Sequence, residues 1–494
     1  MTKKIRLIIL LILSVLFLII TPFIIIYSIG YRVDFENKKI MATGGIYVKV
    51  LPQGTDIIID SKIKNRTGFF SNSIFVQNLL PKQHEILIKK EGYYDYQKDL
   101  IVKGNEVIKL ENVILFKQKI LFDLLESDID YFSAAPDNNA LLTIKTGNNK
   151  IDFELIGLTS KQKIPAVEQS LLRDRQNFSL SDDILEKAGL SLKNTRLDNW
   201  EIKWSNDSNK ILLNIENHYF LLEPFLSTTK IMPLSLPINS KDVFFNLQDF
   251  EQVFFIQGKN LYSNKQNIPI VKNIIAYQIT NQGIIWLSYD GFLYNSDITG
   301  KTNEKISQQI FPVKKNSSYK IIDISGVLFL QEDESLFLLN QKSKIFEKFY
   351  SPVKNLKISP DGQKILYCND NETFYSFLND NSIEKISLNK SSEKISDCYW
   401  LNNDYLIFDS GNKIIISEID NRGNINTINL PSTASLLNGE NINIYPVKSS
   451  QSEVSRKEGQ FNGAKKPKIF FNQRDKKLYI LTQNNLFTSE RLIP

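Results

Sequence analysis

Hydrophobic side chains fall along this chain in two patterns. From Leu7 to Tyr31 the run LIILLILSVLFLIITPFIIIYSIGY contains no charged residue. That exceeds the roughly 20 apolar residues a helix needs to cross a bilayer core, and the h-region of a signal peptide is shorter, about 7–15 residues. The run predicts a transmembrane helix over 7–31 that is retained as a signal anchor, although small residues at Ser28 and Gly30 offer a cleavage site. Pro22 interrupts the run and can kink the helix. Beyond it the pattern changes to period two. Apolar runs of strand length alternate with close-set polar turns through the rest of the chain, which predicts a mostly β protein.

The charges around the apolar run set its orientation. Lys3, Lys4 and Arg6 precede it, and basic residues stay on the cytoplasmic side. Residues 1–6 are thus expected as a short cytoplasmic tail, 32–43 as a linker, and the bulk of the chain outside the cytoplasmic membrane. A tail this short leaves little inside the cell with which to signal.

The first period-two module follows at once. IYVKV (46–50) and DIIID (56–60) read as two strands joined by the turn Pro52-Gln53-Gly54-Thr55. Pro52 restricts φ there, and Gly54 tolerates positive φ. HEILIKK and KDLIVKG alternate again, with turns at Glu91-Gly92 and Lys103-Gly104. This spacing predicts a small β-sandwich over about 44–116. The turn Pro52–Thr55 before DIIIDSK, and the later Lys90-Glu91-Gly92-Tyr93 with Tyr96 and Lys98 after it, resemble the PEGA domain family. Gln53 and Thr55 replace the Glu and Ala of that family's name motif, while the Pro and Gly that shape the turn are kept. The resemblance implies an extracytoplasmic, non-catalytic spacer or binding module.

From 120 to 494 the turns recur. Asp137, Asp207, Asp361 and Asp475 each sit in a polar turn before an apolar run. A second turn follows such runs at Gly258, Asp290-Gly291, Asp333, Asp370, Gly411 and Asn484-Asn485. The interval from Asp207 to Asp361 divides into four steps of about 38 residues, near the roughly 40–45 of a propeller blade. SPDGQKILY (359–367) resembles the blade turn of TolB-type and WD-type propellers. Eight units can be counted, so the expectation is a β-propeller of eight blades, with seven as the alternative. Two insertions break the spacing, at about 160–199 and 434–467. The first contains a segment of helical period, 166–194, with a cap at Ser181-Asp182-Asp183. The second is polar and poor in apolar residues.

Composition narrows the chemistry. The net charge of +6 is spread among 60 basic and 54 acidic residues without a basic stripe, which argues against nucleic acid as a partner. Two histidines, His84 and His218, cannot build a histidine metal cluster, and the two cysteines, Cys368 and Cys398, form no Cys-x-x-Cys pair. Those cysteines lie in neighbouring repeats, where two buried thiols are expected and one bridge is open to them. Phosphate-binding, dinucleotide, nucleophile-elbow and zincin motifs are missing. No catalytic, cofactor or metal-binding residues are assigned. The recurring aspartates read as turn formers, and Trp200, Trp204, Trp286 and Trp400 as packing between blades. His218 falls on an exposed hairpin turn.

These features imply a non-enzymatic, membrane-anchored scaffold. Its one helix enters the cytoplasmic membrane, and its propeller face meets an envelope protein, peptide or glycan. The alternative is a carbohydrate-active lyase or hydrolase of the envelope. It would need carboxylates, Arg or Tyr converging on the innermost strands.

Overall fold

A computed structural model describes residues 3–35, 38–68, 70–146, 150–158, 176–181, 185, 190, 200–225, 230–237, 239–378, 384–411, 413–430 and 468–494. Most are in β-strands. The helix Lys3–Ser28 carries Pro22 inside it and is long and apolar enough to cross a membrane. Within the segment expected as linker, 32–43, Tyr31–Asp34 pairs antiparallel with Lys39–Ala42.

The chain divides into two compact units. The first comprises Met1–Ile120, Ser417–Ile428 and Leu492–Pro494, and the second Leu121–Ile416 and Asn429–Arg491. In the first, Gly44–Leu51 lies between Ser73–Leu79 and Val107–Ile114 in a three-stranded sheet. Asp56–Ile59 pairs with Ile63–Arg66 and Gln83–Lys89, and Tyr96–Ile101 adds the edge of this four-stranded sheet. Alternate residues of both sheets, among them Ile46, Val48, Ile57, Ile59, Ile86 and Ile88, share one buried core. Period-two alternation places them on one face of each strand. The two turns singled out in the sequence meet in space. Lys90 Nζ donates to the Gln53 carbonyl at 2.5 Å. Thr55 Oγ1 donates to the Pro52 carbonyl at 2.6 Å and closes the turn on itself.

The edge strand Tyr96–Ile101 is capped by Ser417–Ile428. An open sheet edge leaves backbone groups without partners. Here side-chain amides supply them: the N–H groups of Gln97 and Asp99 donate to Asn426 Oδ1 and Asn424 Oδ1, both at 3.1 Å. Asn424 Nδ2 returns a bond to the Gln97 carbonyl at 2.7 Å. Gly423, at φ +67°, fits because it has no side chain. A Cβ there would lie 2.0 Å from the Asp99 carbonyl oxygen. Lys98 is fully enclosed in this contact. Its Nζ bonds Glu418 Oε1 at 2.6 Å and the carbonyls of Asp420 and Asn424 at 2.7 and 3.1 Å.

The second unit is built on eight four-stranded antiparallel sheets among the described residues. In chain order the first seven span 131–181, 200–234, 241–272, 274–305, 319–350, 355–390 and 395–429, and the division into units counts 417–428 of the last with the first unit. The eighth joins the two ends of the unit. Phe122–Glu126 pairs with Asn485–Ser489, which pairs with Lys477–Thr482, which pairs with Lys468–Asn472. Shared apolar clusters pack the first sheet on the second, the second on the third, and so on to the sixth. Another packs the eighth on the first. Trp400 Nε1 donates to the Lys357 carbonyl at 3.0 Å between the sixth and seventh sheets. Gln473 Nε2 donates to the Trp400 carbonyl at 2.5 Å between the seventh and eighth. Four-stranded meanders packed in cyclic order, closed by a strand from the other end, make a β-propeller.

Gln176–Ser181 corrects one expectation. It is the fourth strand of the first sheet, paired with Lys150–Gly157, within a segment expected to be helical. Pairing with a neighbouring strand outweighs the weak local helical period of the segment. Leu185 is helical. Leu190 is described but not helical, and the proposed cap residues Asp182 and Asp183 lie outside the described residues, as does the whole of 434–467.

The repeated turns have one hydrogen-bond pattern. Asp137, Asp207, Asp361 and Asp475 each accept, through Oδ1, the N–H two residues on, at 2.9–3.1 Å. Around Asp207 and Asp361 the match extends further. Ser205 Oγ and Ser359 Oγ donate to the aspartate at 2.5 Å and accept the N–H of Lys210 or Lys364 at 2.9 Å. Gly362 takes φ +71° in the second of these. These aspartates are held by turn geometry, as local side-chain to backbone bonding predicts.

Candidate functional site

Burial grades across each sheet of the ring. Second strands are almost wholly buried, as in Gly283–Ser288 and Tyr405–Ser410. Fourth strands such as Asn303–Lys305 are exposed. First strands such as Trp200–Trp204 and Asn355–Ile358 are mostly half-buried. Half-buried strands at the inner end of a ring of sheets border its axis, and there polar and charged residues recur at i and i+2, on one face of the strand.

The best-connected group centres on Asp397, in the first strand of the seventh sheet. Its Oδ1 accepts Lys357 Nζ at 2.9 Å and Asn355 Nδ2 at 3.0 Å, both from the first strand of the sixth sheet. Tyr399 OH donates to Asp397 Oδ2 at 2.5 Å. Lys357 Nζ also lies 3.0 Å from the centre of the Tyr399 ring, a cation–π contact. Behind Asp397, its own N–H donates to Asp409 Oδ1 at 2.7 Å. Burial pushes the Asp409 carboxyl up, against the pull of the Asp397 amide and the Ser396 hydroxyl. Burial and the neighbouring Asp397 hold the Tyr399 phenol well above its usual value.

Lys468, in the first strand of the eighth sheet, is electrostatically coupled to this group. Its Nζ donates to the Phe132 carbonyl at 2.7 Å and sits 3.4 Å from the centre of the Tyr131 ring. Burial, helped by the charge of Lys357 and opposed by Asp397, lowers its pKa to about 8. The sign of the stability effect follows from linkage. Between pH 8 and the unfolded lysine value of about 10.4, the unfolded chain binds a proton that the folded chain lacks. The Lys468 contribution to stability should therefore rise with pH through that window. Lys476, also lowered by burial, adds in the same direction. Urea titrations of the wild type and Lys468→Met across this range isolate it: the wild type should gain stability relative to the variant as pH rises.

A second group lies on the opposite arc of the ring. Lys203 Nζ pairs with Glu201 at 2.9 Å, donates to the Val243 carbonyl at 3.0 Å and faces the Phe244 ring at 4.0 Å. Tyr277 OH donates to the Phe254 carbonyl at 2.8 Å. Burial raises the Asp242 carboxyl, and burial with Glu201 and Asp242 nearby pushes the Tyr219 phenol up to about 12. Between the fourth and fifth sheets a cleft of about 590 Å³ opens, bordered by Asn281, Gln282, Asn295, Lys305, Asp323 and Lys344 among others.

The tryptophans serve packing. Trp286 stacks on Tyr294 at 4.5 Å and donates to Ser296 Oγ at 2.7 Å. Trp204 Nε1 reaches Ser133 Oγ of the first sheet at 3.1 Å. Trp200 and Trp204 flank the core shared by the first two sheets. His218 is exposed at the start of its strand. His84 is buried, with Nδ1 2.6 Å from Asp60 Oδ2 and Nε2 2.8 Å from the Leu80 carbonyl. Among the described residues, no three His, Cys, Asp or Glu side chains group to hold a metal. Sequence reasoning missed Asn355, Lys357, Asp397, Tyr399 and Lys468. The available signal was polar or charged residues at i and i+2, as at Asn355 and Lys357 or Asp397 and Tyr399, in strands that precede largely apolar ones.

No family model matches the chain, and no curated protein matches it. Solved structures similar to it include the C-terminal WD40 domain of Sif2, at 13% identity and TM-score 0.43, over 76% of this chain and 99% of that one. The WD40 domain of SCAP from fission yeast has 12% identity and TM-score 0.40, over 76% and 99%. A streptogramin B lyase structure has 12% identity and TM-score 0.37, over 75% and 98%. The propeller assignment rests on sheet order and closure rather than on these likenesses.

Proposed function

We propose that this protein is a membrane-anchored, extracytoplasmic binding or scaffold protein. In this reading 7–31 is an uncleaved anchor with its N-terminus inside, 44–116 is a PEGA-like spacer, and 120–494 is an eight-bladed propeller. The propeller presents its face to an envelope protein, peptide or polysaccharide. The observation that carries the reading is the state of the inner-strand carboxylates. Asp397 is engaged by Lys357, Asn355 and Tyr399, and Glu201 by Lys203. Carboxylates tied up in this way form a fixed polar surface rather than a poised acid and base. The test is capture from an envelope extract with the full chain in detergent, followed by identification of the retained species. Saturable retention of one macromolecule, weakened at least fivefold by Lys357→Ala, is expected. Recovery of a small substrate turned over to product would overturn the scaffold reading.

A second reading, an envelope carbohydrate-active enzyme, is favoured by a specific observation. Carboxylates, Tyr and Lys do converge on the inner strands, and Lys468 and Asp409 have pKa values displaced toward neutrality. Groups so displaced are candidates for proton transfer. Turnover of envelope polysaccharide, lost in Lys468→Met with the fold intact, would establish it.

A further inference from the structure

We propose that Cys368 and Cys398 close a disulfide that staples the sixth sheet of the ring to the seventh. Cys368 ends the second strand of the sixth sheet, Lys364–Cys368, and Cys398 lies in the first strand of the seventh, Ile395–Trp400. Both are free thiols in the structure, 2% and 0% exposed. The Cys368 thiol is among the groups that raise the Cys398 thiol, as a neighbour across the seam would. The seam is pinned on both sides of the pair. Asn355, the register partner of Cys368, reaches Asp397, the neighbour of Cys398, at 3.0 Å. Trp400, two residues on, holds the Lys357 carbonyl at 3.0 Å. Cys368 shares a face with Asn355, Cys398 shares one with Trp400, and both of those residues reach across this seam.

A metal is a poor occupant of this pair, since no third ligand joins it among the described residues. Burial, with the second thiol beside it, pushes the Cys398 thiol well up, so exchange is slow once the seam has packed. The bridge then forms during folding. A thiolate of one cysteine attacks a small-molecule disulfide such as oxidised glutathione and gives a mixed disulfide. The second cysteine attacks that bond and releases the other half. Two S–H bonds break and one S–S bond forms. Two electrons reduce the glutathione disulfide, and both protons leave on its thiols. Strand Ile395–Trp400, which carries Asp397 and Tyr399, would thereby be tied to the sixth sheet. The proposal leans on the extracytoplasmic reading only for its supply of oxidant in the cell.

The test is to refold the full chain in detergent, in a glutathione redox buffer or in dithiothreitol, and to alkylate each product in denaturant. The oxidised product should lack two hydrogens, take up no alkyl group and yield one cross-linked peptide pair containing positions 368 and 398. Its thermal midpoint should exceed that of the reduced product by roughly 5 °C, a gap that Cys368→Ser should abolish. Should that variant fail to fold, the mass of the wild-type chain decides alone. A folded product with two free thiols, a glutathione adduct or a cross-linked dimer would each overturn the proposal.

Discussion

Replacing Lys98 by alanine is expected to cost the first unit about 3–5 kcal/mol, the scale for removing one partner of a buried ion pair. The Lys98 side chain is 0% exposed and that of Glu418 4%. Taking away the ammonium strands a carboxylate out of water. Its remaining donors, Tyr96 OH at 2.9 Å and Asn426 N and Nδ2 at 2.8 Å, carry no formal charge. The loss should be local at first. Hydrogen exchange should speed up in Tyr96–Ile101 and Ser417–Ile428 before it does elsewhere, because the amide contacts along the strand edge depend on the same approach. Lys103→Ala is the control. Its pair with Glu106 spans 3.9 Å between side chains 71% and 61% exposed, and such surface pairs contribute about 0–1 kcal/mol. Equal small losses in the two variants, by urea titration, would show that the buried pair contributes nothing special.

Tyr367→Ala should destabilise the ring by about 3–5 kcal/mol, as large-to-small changes of buried aromatics do. Tyr367 is fully buried where the fifth and sixth sheets meet. Its ring stacks on Phe374 at 5.3 Å and meets Phe349 and Tyr350, each at 5.5 Å. Four aromatic rings in contact leave little room for neighbours to close the cavity. Tyr367→Phe separates packing from polarity. It keeps the ring and loses one hydroxyl contact, to Ser376 Oγ at 3.3 Å, which is worth about 0.5–1.5 kcal/mol. A loss in the phenylalanine variant as large as in the alanine one would mean that the hydroxyl, not the ring, holds the seam.

Much of the architecture is legible in the residue order because it is set locally. The apolar run from Leu7 predicts a helix, and one forms over Lys3–Ser28. The Asp turns at 137, 207, 361 and 475 act over two residues of backbone, and each has the same bond. The first insertion and the strand pair before 44 read less well. The residues around 31–42 and 176–181 carry weak local patterns, and strand pairing decides them. The candidate site was harder still. Lys357, Asp397 and Lys468 look like ordinary polar residues of separate strands until the ring brings them together.

The sequence by itself determined the apolar helix and most of the strands, where most turns fall, and that a repeat of about 38 residues builds the larger unit. Those properties depend on periodicity and on side-chain to backbone bonds a few residues long. Tertiary structure alone decided that Phe122–Glu126 completes the sheet of the last three strands. It also decided that Lys98 meets Glu418. Such pairings depend on the register between sheets and on closure of the ring, and no local pattern encodes a partner hundreds of residues away.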